Sequence, residues 1–197
     1  MLNRIYSFFN FKKNKITLSE EVLGNWHVDF ILHLATIIKP RCYVELGLYQ
    51  GELFNKMIPY CDTLHGVDMD ETVSKFIKKS PKVNFYGKST SDFAKYAKSI
   101  NLQIDLLFID ADHSYDSVLN DFNSFFPMVR DNGIILIHDS YPKNKSFTSK
   151  GYCGDGYKAI EELGEKADNY EIVTIPIHPG LSIIRKRKSH LQWLQKK

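Results

Sequence analysis

The chain alternates between short, nearly continuous apolar runs and segments with helical spacing. The runs cover 42–46, 63–68, 83–86, 104–109 and 133–138. Each is long enough for a strand and too uniformly apolar for a half-exposed one, so these strands are expected to be buried on both faces. Between them, helical periodicity predicts helices over 26–38, 51–58, 71–79, 91–99, 115–127 and, further on, 156–166. In the first, Trp26, Phe30, Leu34 and Ile37 or Ile38 fall near one face, and Pro40 ends it. In 91–99, Phe93 and Tyr96 are expected to face inward. In 115–127 the stripe is Val118, Leu119, Phe122, Phe125 and Phe126. Asp131-Asn132-Gly133 reads as the turn into the fifth strand. Strand and helix in alternation signify a parallel sheet covered on both sides. The pattern changes after 139. Residues 140–156 carry three glycines and no periodicity, and read as a long loop over a site. Tyr170–Pro176 and Leu181–Lys186 then form two strands joined through His178-Pro179-Gly180, too short a link for a crossover, so that pair is antiparallel.

A chain of 197 residues suits one domain with extensions, expected at 1–21, 22–186 and 187–197, and holds a full core without staples. Cys42, Cys61 and Cys153 match no disulfide framework and no metal spacing, which points to a reducing, cytoplasmic compartment. No apolar stretch reaches the length of a membrane span, and residues 1–14 are too short and polar for a signal peptide. The net charge of +3 conceals an asymmetry. Residues 1–15 carry four basic side chains and 185–197 carry six, with no acidic ones in either segment. The remainder sets 16 basic against 23 acidic groups, about −7. Basic termini suit nucleic acid or anionic lipid. A solvated tail, or an interface using Leu191, Trp193 and Leu194, explains them as well, and the aromatic run 5–11 suits packing on the domain or a partner.

Two apolar runs stop abruptly in polar chemistry. Leu106-Leu107-Phe108-Ile109 leads into Asp110-Ala111-Asp112-His113, and Ile134-Ile135-Leu136-Ile137 leads into His138-Asp139. If these strands are neighbours, Asp110, His113, His138 and Asp139 meet at the carboxyl edge, where open α/β sheets place ligands. On the same edge lies Val44-Glu45-Leu46-Gly47-Leu48-Tyr49-Gln50-Gly51. Gly47 permits a tight turn, and Gly51 close approach at the next helix. The spacing is neither Gly-x-Gly-x-x-Gly nor a P-loop. Asp68 ends the following strand, 21 residues past Gly47, where a carboxylate can accept both ribose hydroxyls, with Asp70 at the same turn. Together they suit an adenosine-containing cofactor.

On these residues the chain resembles the class I S-adenosylmethionine-dependent methyltransferases. Their first motif is a strand followed by Glu-x-Gly-x-x-x-Gly, with an acid after the second strand. The resemblance covers roughly 22–186. The run 104–142 is closer still to bacterial sugar O-methyltransferases of the macrocin type, related to the catechol and caffeoyl-CoA enzymes. The resemblance implies a Rossmann-like three-layer sandwich whose seven-stranded, mostly parallel sheet has the order 3-2-1-4-5-7-6, strand 7 antiparallel. It implies that Glu45 holds the cofactor's amino-acid end or orients its loop. Gly47, Leu48, Tyr49 and Gly51 would wrap the methionine part, and Asp68 would bind the ribose. Met69 would lie beside the adenine, Gly87-Lys88-Ser89 would contact it, and Asp110 would touch both cofactor and metal.

A hard divalent cation such as Mg²⁺ takes oxygen ligands. The catechol-type enzymes use two acids plus an Asn directly after the second. The corresponding residues here are Asp110, Asp139 and Ser140, a departure at the third position. Mn²⁺ or Fe²⁺ would tolerate His138 better. His113 falls where those enzymes place a catalytic lysine, and an imidazole near neutrality can take a hydroxyl proton. The implied catalytic set is Asp110, His113 and Asp139; the candidate acceptor contacts, read from the residues themselves, are His138, Tyr141 and Tyr115, with Tyr152, Asp155 and Trp26 as further candidates. Each has a plainer reading. Asp110 and Asp139 suit turn caps, Asp112 a helix cap, and His113 or His138 a packed or surface histidine. His27, His33, His65, His178 and His190 are read as structural or surface residues.

The function expected is methyl transfer from S-adenosylmethionine to a hydroxyl of a sugar or other small metabolite, assisted by Mg²⁺ or Mn²⁺. The rivals are a nucleic-acid (RNA) methyltransferase, which the run Asp110-Ala111-Asp112-His113 does not suit, and a non-catalytic binding or assembly protein of the same fold. The partners expected are a small-molecule substrate rather than nucleic acid, with a homodimer left open.

Overall fold

The computed structural model describes residues 25–187. The aromatic run 5–11, the expected start of the domain at 22 and the basic tail from 188 lie outside the described residues. The elements follow the order α1 (Trp26–Ile38), β1 (Cys42–Leu46), α2 (Glu52–Met57), β2 (Thr63–Asp68), β3 (Val83–Gly87), α3 (Thr90–Ser99), β4 (Ile104–Ile109), α4 (Tyr115–Phe125), β5 (Val129–His138), α5 (Tyr157–Glu165), β6 (Tyr170–Ile175) and β7 (Leu181–Lys186).

The sheet runs β3-β2-β1-β4-β5-β7-β6. Strands β1 to β5 pair in parallel, and β7 runs antiparallel to both β5 and β6. Alternate side chains feed two cores. Tyr43, Leu106, Phe108 and Leu136 pack with α1 and α2 on one face. Val44, Leu46, Leu107, Ile135 and Ile137 pack with α3, α4 and α5 on the other. That two-sided burial is why the central strands show no polar alternation. The strand order reverses between β1 and β4, so their carboxyl ends open a crevice, the usual ligand position in such sheets. No helix among the described residues is long and apolar enough to cross a membrane.

Several local expectations change. In α1 the buried positions are His27, Val28, Ile31 and Ala35. Trp26, Phe30 and Leu34 are only partly covered, and Ile37 is 67% exposed. The helix is apolar nearly all round, so its sequence leaves the rotation undetermined. Tyr96 is exposed, while Phe93 is fully buried. The segment expected as helix 71–79 is only a 3-10 turn, Glu71–Lys75, because Val73 is its one buried side chain and nothing pulls further residues into a helix. Strand β5 begins four residues early. Val129 pairs with Ile104, a bulge absorbs Arg130–Gly133, and Ile134 resumes the ladder against Leu106.

Candidate active site

The crevice is built where the loop after β1 crosses the end of β4. Gly47 sits at φ +84°, and a Cβ there would lie 2.6 Å from Ala111 Cα and 2.6 Å from the Asp110 carbonyl carbon. Only glycine brings the two backbones this close. The crossing is tied by Asp110 N–H donating to Leu46 O (2.8 Å) and Gly47 N–H to Val67 O (2.9 Å). Asp68 organises the loop from the end of β2. Its Oδ2 accepts from Leu48 N (2.9 Å) and Tyr49 N (3.2 Å), and its Oδ1 from Asp70 N (2.9 Å). Oδ2 thus has both lone pairs engaged, and Oδ1 keeps one for a ligand hydroxyl.

A cavity of about 440 Å³ lies on this crossing, lined by Gly47, Asp68, Met69, Ser89, Asp110 and Asp121 among others. Tyr49 (81% exposed) and Met69 (77%) stand at its rim. Ser89 also caps α3, accepting from Asp92 N. A second cavity of about 180 Å³ shares Gly47, Tyr49 and Asp110 with the first and reaches Glu45, Leu48 and His27. Glu45 is fully enclosed and accepts from Tyr43 Oη at 2.5 Å. Its burial pushes the carboxyl well above the usual carboxylate range. Gly51 lines neither cavity. It stands at the start of α2, with a virtual Cβ against the Ile77 side chain.

Beside Asp110 the ends of β4 and β5 meet. Ligand atoms of Asp110, His113 and Asp139 all lie within 4.8 Å of one another. His113 Nδ1 is 2.9 Å from Asp139 Oδ2, and its Nε2 is 3.5 Å from Asp110 Oδ1. His138 Nδ1 donates to Asp110 Oδ1 at 2.9 Å. Burial alone would depress His113, but Asp110 and Asp139 outweigh it and raise the imidazole to about 11. Burial would likewise raise both carboxyls, yet His138 and His113 hold Asp110, and His113 and His138 hold Asp139, below the ordinary range. Asp139 takes a left-handed backbone, φ +54°, which a non-glycine residue keeps only where its surroundings enforce it.

The segment 140–156 is fastened across this cluster. His113 Nδ1 also donates to Tyr152 O (2.8 Å), Gly156 N–H donates to His113 O (2.8 Å), and Tyr115 N–H donates to Asp155 Oδ1 (2.9 Å). On its other side Tyr141 N–H donates to Pro179 O (2.8 Å), and Gly180 packs so that a Cβ would lie 2.7 Å from Tyr141 Cα. A cavity of about 910 Å³ opens between the segment, the loop 111–114 that follows β4 and the start of α5, lined by Asp112, His113, Ser114, Lys150, Tyr152 and Lys158 among others.

Other candidates are placed elsewhere. Ser140 lines a separate cavity of about 490 Å³ with Tyr141 and Tyr157, and its buried Oγ has no hydrogen-bond partner among the described residues. The Tyr115 hydroxyl turns to Glu162 of α5. Trp26 Nε1 donates to His178 O (3.3 Å). Asp112 accepts from Ser114 N (2.8 Å) in the turn before α4, whose N-cap is Ser114 rather than Asp112, and it lines both the 440 and 910 Å³ cavities.

Two residues at the site escaped the sequence reading. Asp121 is buried in α4 among Val118, Phe122 and Phe125 and lines the 440 Å³ cavity. An acid at a helix position otherwise reserved for the apolar stripe was its signal. His27 stacks on His138 with ring centroids 4.0 Å apart. Nothing in its local sequence distinguished it from a packed histidine.

Residues 44–140 match the family model described as a methyltransferase domain. An uncharacterized protein of Acanthamoeba polyphaga mimivirus is 29% identical over 114 residues, 49% of this chain and 50% of its own, so the chain spans about half the length of that relative. Among solved structures, the Bacillus cereus O-methyltransferase in complex with S-adenosylhomocysteine superposes with a TM-score of 0.71 at 14% identity, covering 86% of this chain and 84% of that one. The Streptomyces achromogenes O-methyltransferase TomG, involved in tomaymycin synthesis and bound to S-adenosylmethionine, gives 0.67 at 12%, covering 87% and 82%. The MycE methyltransferase of mycinamycin biosynthesis, in complex with Mg and S-adenosylhomocysteine, gives 0.59 at 15%, covering 83% and 50%. At such identities the likeness is one of fold: the chain shares its seven-stranded α/β architecture with these methyltransferase structures.

Proposed function

We propose that this chain transfers a methyl group from S-adenosylmethionine to a hydroxyl of a small molecule, a sugar or other hydroxylated metabolite, at a site that also takes a divalent cation. One observation carries the reading: Asp110, at the reversal point of the sheet, lines the 440 Å³ cavity and is also a member of the convergent trio. A cofactor seated on Gly47 would therefore lie beside the groups that bind the acceptor. Its nucleoside suits the larger cavity, with Asp68 toward the ribose and Met69 and Ser89 toward the base. Its amino-acid arm suits the smaller cavity, toward Glu45 and Leu48. The acceptor suits the 910 Å³ space under residues 140–156, where Tyr152 offers a ring for a sugar face and Asp112 and Ser114 offer polar partners.

The donor set of two carboxylates and one imidazole fits a divalent cation, Mn²⁺ or Fe²⁺ better than Mg²⁺. His113 thus enters where the resemblance implied Ser140, whose spare oxygen remains next along the chain. Such an ion supplies a Lewis acid that acidifies a bound hydroxyl. His138 orients the Asp110 carboxylate through its hydrogen bond. His113 keeps its proton while both carboxylates face it; once they turn to the ion it would give that proton up, and one nitrogen could then either ligate the ion or take the acceptor's proton, not both. Alignment of the acceptor oxygen with the sulfonium methyl is the rest of the chain's contribution. The nucleic-acid reading rests on the basic termini, which lie outside the described residues.

The test is Mn²⁺ titration of the full chain by calorimetry. Asp110→Asn combined with Asp139→Asn should lower the affinity at least tenfold while S-adenosylhomocysteine still binds. Stoichiometric Mn²⁺ binding by the double variant would remove the metal site from the reading.

A further inference from the structure

The 180 Å³ cavity reaches past the glycine loop to the start of α1, where it is bordered by Asn25 and His27. Its volume equals roughly six waters at ~30 Å³ each, the size of a short amino-acid arm. The side chains around it are of two kinds. Glu45 and Glu52 supply carboxyl groups. His27 and the first turn of α1, which also carries Asp29, supply N–H donors to the same cavity. Carboxyl groups and N–H donors around one cavity suit a zwitterion.

His27 carries the argument further. It is 8% exposed, and its Nδ1 is buried with no hydrogen-bond partner among the described residues. A buried ring nitrogen left without a partner is costly, so one that borders a cavity marks a place for a ligand atom. Burial, then the neighbouring His138, push the His27 ring down to about 4, which leaves it neutral, with one N–H to donate and one lone pair. The ring is held in place by stacking on His138 and on Phe108, centroids 4.0 and 6.5 Å away.

We propose that His27, with the first turn of α1, binds the carboxylate of the cofactor's amino-acid arm. The assignment rests on the reading of the glycine-loop crevice as an S-adenosylmethionine site, and it makes α1 part of that site. The 440 Å³ cavity assigned to the nucleoside is lined by no residue of α1, so the role is confined to the arm.

That confinement supplies the test. S-adenosylhomocysteine carries the amino-acid arm, and 5′-methylthioadenosine shares the nucleoside but lacks it. Both are titrated by calorimetry into the full chain and into His27→Phe, which keeps a ring against His138 but has no nitrogen. The unaltered chain should bind S-adenosylhomocysteine the more tightly. In His27→Phe that affinity should fall about tenfold, while 5′-methylthioadenosine binds as before. His27→Ala, read by the same comparison, serves if the larger ring prevents folding. Equal losses for both ligands, or no loss for either, would overturn the role of His27 while leaving the cofactor reading in place. If the unaltered chain binds neither ligand, the cofactor reading fails and the role of His27 with it.

Discussion

Replacing Gly47 by alanine is the sharpest perturbation of this architecture, because two separable costs act at one residue. The first is conformational. At φ +84° a residue with a Cβ is destabilised by roughly 1–2 kcal/mol. The second is steric. The new Cβ would sit 2.6 Å from Ala111 Cα, against about 3.5–4.0 Å for an unstrained carbon pair, so the two backbones must part by about 1 Å. Overpacking of this kind costs about 1–3 kcal/mol. The total, about 2–5 kcal/mol, lowers the melting temperature of a domain this size by roughly 10 °C. Gly151 provides the control. It also has a positive φ, +91°, but a Cβ there meets nothing within 4 Å. Gly151→Ala should show the conformational cost alone, a shift of roughly 4 °C. The same 1 Å displacement moves Gly47 and Asp110 apart at the crevice. Gly47→Ala should therefore weaken S-adenosylhomocysteine binding at least tenfold, with Gly151→Ala unaffected. Thermal melts and calorimetry on the two variants read both effects. If they melt together and bind alike, the loop does not cross β4 as described, and the site built on that crossing goes with it.

Asp121 carries a pH signature. Burial, with a contribution from Asp112, raises its carboxyl to about 6 from an ordinary value of 3.8, so between these values the folded state binds more protons than the unfolded one. Its stabilising share is present in full below the unfolded value, declines as pH rises through the folded value, and then levels off, a loss of about 3 kcal/mol at most. Asp121→Asn should exceed the parent in stability at pH 7.5 and match it near pH 4 by urea denaturation. A difference independent of pH would refute this. Tyr43→Phe removes the donor to Glu45, both groups being fully buried, and should cost about 1–3 kcal/mol in the same assay. An unchanged urea midpoint would mean that Glu45 has another partner.

Much of this site was legible in the chain because its positions are set by strand ends. A buried strand must stop where its apolar run stops, so Asp68, Asp110 and Asp139 were bound to lie on one edge once the strands were parallel. The order 3-2-1-4-5-7-6, with its closing antiparallel pair, is as the resemblance implied. Asp112 was expected to cap α4, but Ser114 takes that position, and Asp112 holds the preceding turn while bordering the 440 and 910 Å³ cavities.

What the sequence by itself determined is therefore the periodicity: which runs are strands, which face two ways, and where polar chemistry begins along each. Only the tertiary structure decided the rest. An apolar helix carries no internal mark of its rotation, so the turn of α1 that buries His27 against His138 came from packing. A carboxylate next to a histidine in sequence says nothing about charge. The protonated state of His113 follows from two acids arriving from different strands, Asp110 at the end of β4 and Asp139 just past β5. Local spacing fixes what a residue can reach along its own element, whereas fields and cavities depend on neighbours brought from elsewhere in the chain.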